Sequence, residues 1–318
     1  MGRLAASSRW SVRAAVVALS VALLPAASSA ATTYKIAFES TRTGTYQVYT
    51  VIAETGSAQA QLTGTLLADR QNFDPAWSPG GKELVFESDR ANGRYSDLWK
   101  MSQSGKKPQK LTDLKGPSRV PAWSPDGKWI AFAFGGPFVP TGTYIYRITL
   151  IPFNSMPGTS PRFLTKTASG SCSNPAWSHD ARQIAFDCNS GGDTQIWRMS
   201  ARGGTPTQLT KKGEGQNSNP SWSPDGRQIT FGSNRSGTSQ IWVMSEKGGA
   251  PTQLTGKSSR DGQNFDPSWS PDGQTIAFAS NREVNMEIYS MRADGSGQTN
   301  LTKSPAVDLA PNFWQNPR

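Results

Sequence analysis

One short motif returns along this chain at nearly even intervals, and it limits the fold more than any other feature. It reads Pro-x-Trp-Ser-Pro-Asp-Gly. Near-copies occupy residues 75–81, 121–127, 175–181, 220–226 and 267–273, and a sixth begins at Pro311-Asn312-Phe313-Trp314. The prolines stand 46, 54, 45, 47 and 44 residues apart. Self-similarity at such a period marks a repeat architecture. After each motif comes a second apolar segment: Leu84-Val85-Phe86, Ile130-Ala131-Phe132, Ile184-Ala185-Phe186, Ile229-Thr230-Phe231 and Ile276-Ala277-Phe278. A third follows at Leu98-Trp99, Ile145-Tyr146, Ile196-Trp197, Ile241-Trp242 and Ile288-Tyr289, and a Leu-Thr pair closes each unit at Leu111, Leu164, Leu209, Leu254 and Leu301. Runs this short, β-branched or aromatic and bounded by turn residues, read as four strands per repeat. Ser-Pro-Asp-Gly is a tight turn, because Pro presets φ and Gly tolerates positive φ.

The two ends complement each other. The first repeat begins at its second strand (Ile36-Ala37-Phe38) and continues through Val48-Tyr49 and Leu62-Thr63, while the last supplies only a first strand near Pro311. Three strands from one end and one from the other complete a sixth sheet, which closes a ring and removes exposed sheet edges. The predicted fold is all-β: a six-bladed β-propeller with four antiparallel strands per blade. The five repeated Trp residues are expected to wedge between blades, with Phe313 in the Trp position of the last one. The repeat that starts at Pro121 is about nine residues longer, and its loops at 135–143 and 151–161 could carry a binding surface or pack on their own blade.

Residues 1–30 read as a signal peptide. Arg3, Arg9 and Arg13 form a basic start, residues 14–24 are apolar, Pro25 ends the run, and cleavage is expected near Ala30. Eleven apolar residues are too few for a bilayer, which takes about 20. Residues 31–318 then form the propeller, about 48 residues to a blade. Loss of three arginines lowers the formal net charge from +10 to +7. A periplasmic or secreted, monomeric protein is expected, with no membrane-spanning segment after cleavage. Its basic residues show no run longer than Lys106-Lys107 or Lys211-Lys212, which gives no support to nucleic-acid binding.

The stretch 222–255, with Ser233-Asn234-Arg235, Ile241-Trp242-Val243-Met244 and Gly248-Gly249, resembles the TolB-like (WD40-like) propeller repeat almost throughout. That resemblance implies a propeller domain without the α/β domain of TolB. It also implies an envelope or secreted protein partner, such as a Pal-like lipoprotein, taken up near the channel mouth.

Two polar motifs should meet on the face opposite the Ser-Pro-Asp-Gly turns. One comprises Asn72 and Asp74, Asn264 and Asp266, with Asn174 and Asn219 in variant copies; the other comprises Arg90, Asn234-Arg235 and Asn281-Arg282. Asp74 to Arg90, Asn219 to Arg235 and Asp266 to Arg282 are each 16 residues apart, which predicts a repeated contact within each blade. These residues are either loop braces or a partner-binding ring. No catalytic, metal or cofactor constellation is predicted: the one histidine, His179, falls in a turn. The functional expectation is a non-enzymatic interaction scaffold. The alternatives are a carbohydrate- or cell-wall-polymer-binding or -cleaving propeller, such as a lyase or hydrolase, and a module that only presents the long-blade loops. Cys172 and Cys188 lie equally far from the turn centre at Asp180 and should face each other, as a disulfide in an exported protein or otherwise as two buried thiols.

Overall fold

The computed structural model describes residues 33–64, 70–91, 95–136, 146–166, 170–189, 192–256, 258 and 261–314. Among these, every regular element is a β-strand, and no helix is long and apolar enough to cross a membrane. The strands form six four-stranded antiparallel sheets. Blade 1 joins Asp308–Phe313 to Lys35–Ser40, Gln47–Ile52 and Ala60–Gln61. Blade 2 holds Asn72–Trp77, Glu83–Ser88, Asp97–Ser102 and Gln109–Lys110; blade 3 holds Ser118–Trp123, Trp129–Gly135, Tyr146–Pro152 and Arg162–Phe163. Blade 4 holds Ser171–Trp177, Gln183–Asn189, Thr194–Ser200 and Thr207–Gln208. Blade 5 holds Asn217–Trp222, Gln228–Ser233, Gln240–Ser245 and Thr252–Gln253; blade 6 holds Asn264–Trp269, Thr275–Ser280, Glu287–Arg292 and Thr299–Asn300. The molecule is a six-bladed propeller, and Phe313 pairs with Ile36 to close it.

Large side chains from each first strand fill the space between blades. Trp123 packs with Val85 and Leu98 of blade 2, Trp222 with Ala185 and Ile196 of blade 4, and Phe313 with Ala277 and Ile288 of blade 6. Burying one such aromatic contributes roughly 4–6 kcal/mol as an upper bound. The turns form as their chemistry dictates. Ser124, Ser178, Ser223 and Ser270 each donate to the following aspartate at 2.6 Å, and Gly127, Gly226 and Gly273 take φ near +70°.

Two strand assignments shift. Each fourth strand is two residues long and ends just before the Leu-Thr pair. The threonine then folds inward: in all six blades its hydroxyl accepts the third strand's N–H at 2.8–3.0 Å. In blade 3, Ile145 lies outside the described residues, and the buried position opposite Ala133 is taken by Ile148, with Thr149 opposite Phe132. Sixteen residues therefore separate Phe132 from Ile148, against ten from Phe186 to Ile196 in blade 4. The long blade gains six residues between its second and third strands and three between its third and fourth, because the third strand aligns on Ile148-Thr149 and not on Ile145-Tyr146. In that register Ile148 and Thr149 are both fully buried.

Candidate functional site at the channel mouth

The site begins with a backbone irregularity. In every blade the residue before the motif proline has positive φ: Asp74 (47°), Val120 (49°), Asn174 (51°), Asn219 (55°), Asp266 (53°) and Ala310 (50°). Strand pairing slips at the same point in each first strand. The proline has no N–H for the ladder, and the resulting bulge re-aims the residue before it. Asp and Asn take this conformation at low cost, while a β-branched residue such as Val120 is strained there. All six bulge residues, the prolines after them and several of the wedge tryptophans line an axial cavity of about 190 Å³.

Carboxylates crowd this end of the channel. Glu39, Glu87 and Asp187 come from the second strands of blades 1, 2 and 4 and are buried. Each receives the bulge N–H of the next blade. Asp74 N–H donates to Glu39 at 3.0 Å, Asn219 N–H to Asp187 at 2.9 Å, and Val120 N–H to Glu87. Ala310 N–H completes the series on Asp266. The Asn174 amide also donates to Asp187, at 2.6 Å. Arg119 opposes the negative charge, with Nε 3.2 Å from Glu87. Burial raises the affinity of all five carboxyls for protons. Asp74 rises to about 7, from burial first and the neighbouring Glu87 second; Asp266 rises to about 6, from burial and then the Asp74 charge. Glu39 is pushed well above the usual carboxylate range by burial and Asp74. Burial also raises Glu87 and Asp187, against the pull of Arg119 on the first and of the Asn174 amide on the second.

The Ser-x-Arg loops do different work. Their arginines reach the asparagine 18 residues back: Arg90 to Asn72 at 2.7 Å, Arg235 to Asn217 at 2.9 Å and Arg282 to Asn264 at 3.0 Å. The repeated contact therefore exists, but the predicted interval of 16 is two residues short. The bulge turns Asp74, Asn219 and Asp266 into the channel and leaves the preceding Asn to meet the arginine. Each guanidinium also lies over two rings, such as Phe231 and Trp242 for Arg235. Asn234 and Asn281 accept the backbone N–H of Gln216 and Gln263. A fourth copy went unread in the sequence: Ser40-Thr41-Arg42 in blade 1, where Arg42 pairs with Asp308 at 2.8 Å.

In blade 4 the place of the Asn–Ser pair is taken by Cys172 and Cys188. They stand opposite each other in register, as Asn72 and Ser88 do in blade 2, and are joined by a disulfide. A covalent bond thus stands where blades 1, 2, 5 and 6 use an arginine. Sequence reasoning also missed Glu39, Glu87 and Asp187. Their signal was an acidic residue after the second-strand Phe, at Phe38-Glu39, Phe86-Glu87 and Phe186-Asp187, where a buried strand otherwise has Ala or Gly. His179 is exposed in its turn, and among the described residues no three His, Cys, Asp or Glu side chains converge as a metal-ligand set.

The TolB beta propeller domain family matches residues 158–260. The chain is similar to TolB-type β-propellers. Its fold is shared with TolB from Acinetobacter baumannii, at 22% identity over 89% of this chain and 67% of that one, with a TM-score of 0.73. A putative TolB from Agrobacterium tumefaciens is 27% identical, with a TM-score of 0.64 over 88% of this chain and 91% of that one. An uncharacterized peptidase of Bacillus subtilis, YuxL, is 44% identical over 62 residues, which are 20% of this chain and 9% of that protein.

Proposed function

We propose that this TolB-like propeller is an exported, non-enzymatic scaffold that takes up a segment of a protein partner at its channel mouth. The observation that carries this reading is the ring of Asp74, Asn174, Asn219 and Asp266, held at positive φ around a cavity of about 190 Å³. A space of that size suits the tip of a loop or chain end, and its carboxylates and amides offer hydrogen-bonding groups at fixed positions. The resemblance makes an envelope protein the expected partner, a Pal-like lipoprotein among them. The basic, apolar leader at residues 1–30 and the disulfide support export to an oxidising compartment. Among the residues first singled out, those on the bulges are the proposed contact residues. Asn72, Arg90, Asn234, Arg235, Asn264, Asn281 and Arg282 hold the loops around them.

A second reading, cleavage of a carbohydrate or cell-wall polymer, draws on the Asp74–Glu87 pair, since adjacent carboxyls can act as acid and base. Glu87 is already engaged by Val120 N–H, Ser96 and Arg119, which favours a structural role for it. Asp74→Asn with Asp266→Asn tests the first reading, because Asn already fills the same place in blades 4 and 5. Capture of a partner from envelope extract should fall at least tenfold with folding intact. Undiminished capture would sink the proposal, and loss of a polymer-cleaving activity would favour the second reading.

A further inference from the structure

Charge is spread unevenly around the ring. From Lys100 to Lys212 the sequence has fifteen Lys and Arg against five Asp and Glu, whereas the rest of the chain after Ala30 has fifteen against eighteen. That basic stretch is blades 3 and 4 with the outer end of blade 2. At the turn end of this sector Lys106, Lys107, Lys128, Arg162, Arg182 and Arg202 are exposed. Turns and outer hairpins adjoin there: Phe153 N–H bonds the Lys128 carbonyl, and Ala201 N–H bonds that of Arg182. The side chains of Lys128 and Arg182 are 75% and 85% accessible. Their nearest carboxylates, Asp126 at 3.8 Å and Asp180 at 3.9 Å, are themselves exposed, so these pairs are weak. Met156 is 74% exposed, on the outer hairpin of blade 3 whose Phe153 N–H bonds the Lys128 carbonyl.

We propose that this sector docks on an anionic lipid surface, with the cations on the headgroups and Met156 entering the headgroup–acyl boundary. Exposed cations around an apolar side chain are the arrangement that lets a protein lie on such a surface. A purely polar anionic polymer would leave Met156 without a partner, which favours lipid.

The test is sedimentation of the chain with vesicles of equal phosphatidylglycerol and phosphatidylcholine, beside vesicles of phosphatidylcholine alone. Lys128→Gln with Arg182→Gln introduces the residue blade 6 already has at the same turn position, Gln274, so folding should survive. Each cation near an anionic surface contributes about fivefold, so the double variant should bind the mixed vesicles roughly 25-fold more weakly. Met156→Ser should weaken binding as well, and added salt should reduce it. Parent and variants share the same N-terminal residues, so differences between them report this sector alone. Equal binding by parent and double variant would overturn the proposal, as would equal binding to the two kinds of vesicle. A soluble polyglutamate that binds through Lys128 and Arg182, with no binding to vesicles, would also overturn it and mark a polymer site.

Discussion

At the level of single residues, the mouth is built from conformations and charges that cost stability. Val120 holds φ at +49° where blades 4 and 5 have Asn. Val120→Asn should relieve that strain and stabilise the fold by about 1 kcal/mol, read from the midpoint of urea unfolding. Asp74 and Asp266 give a pH dependence with a defined sign. Their proton affinities are raised in the folded state, from 3.8 to about 7 and about 6, so the native state holds protons that the unfolded chain has released. Stability from these groups is full below pH 4 and falls as pH rises through 7. Both carboxyls lie at the channel wall within reach of water, so the loss should be about 1–2 kcal/mol. Asp74→Asn should flatten the stability profile between pH 4 and 7 and raise the melting temperature at pH 8. The four pre-proline polar residues were legible in the sequence because Asn and Asp before Pro stand out there. Glu39, Glu87 and Asp187 were not, because a buried carboxylate inside an apolar strand reads as ordinary strand until the neighbouring blade supplies its N–H.

Among the elements, five of the six blades carry a side-chain tie between the start of the first strand and the end of the second. Four blades use Arg on Asn or Asp, and blade 4 uses Cys172–Cys188. Arg235→Ala removes a side-chain bond to Asn217 and contacts with two rings, and should cost about 1–3 kcal/mol. Cys172→Ala with Cys188→Ala should cost about 2–4 kcal/mol, and reductant should lower the parent's stability but not the variant's. The facing of the two cysteines followed from their equal distance to the turn. The arginine contact was half legible: its recurrence showed in the spacing, but its partner did not, because the bulge changes which residue faces inward. Blade 3 was misread for a related reason. Ile145-Tyr146 matches the Ile-aromatic pattern of the repeat, but Ile148-Thr149 takes the place opposite Ala133 and Phe132, which only strand pairing reveals.

For the whole molecule, closure depends on one strand. Asp308–Phe313 pairs with Lys35–Ser40, and Phe313 seals the space against blade 6. Removal of residues 308–318 should expose two sheet edges and abolish the monomer, seen as aggregation or loss of cooperative unfolding by size-exclusion chromatography and melting. Blade number and closure were readable because the half-repeats at the two ends add to one sheet. The uneven charge was readable as a count, but which cations share the turn end was not, because that depends on how blades 2, 3 and 4 stand side by side. The account rests most on the mouth as the place of contact, and site-specific photo-crosslinking in the intact cell tests this directly. A crosslinking residue at Asn219, on the bulge, should give a discrete adduct with a single protein, and one at Arg227, on the turn face of the same blade, should not. An adduct from position 227 with none from position 219 would contradict the account.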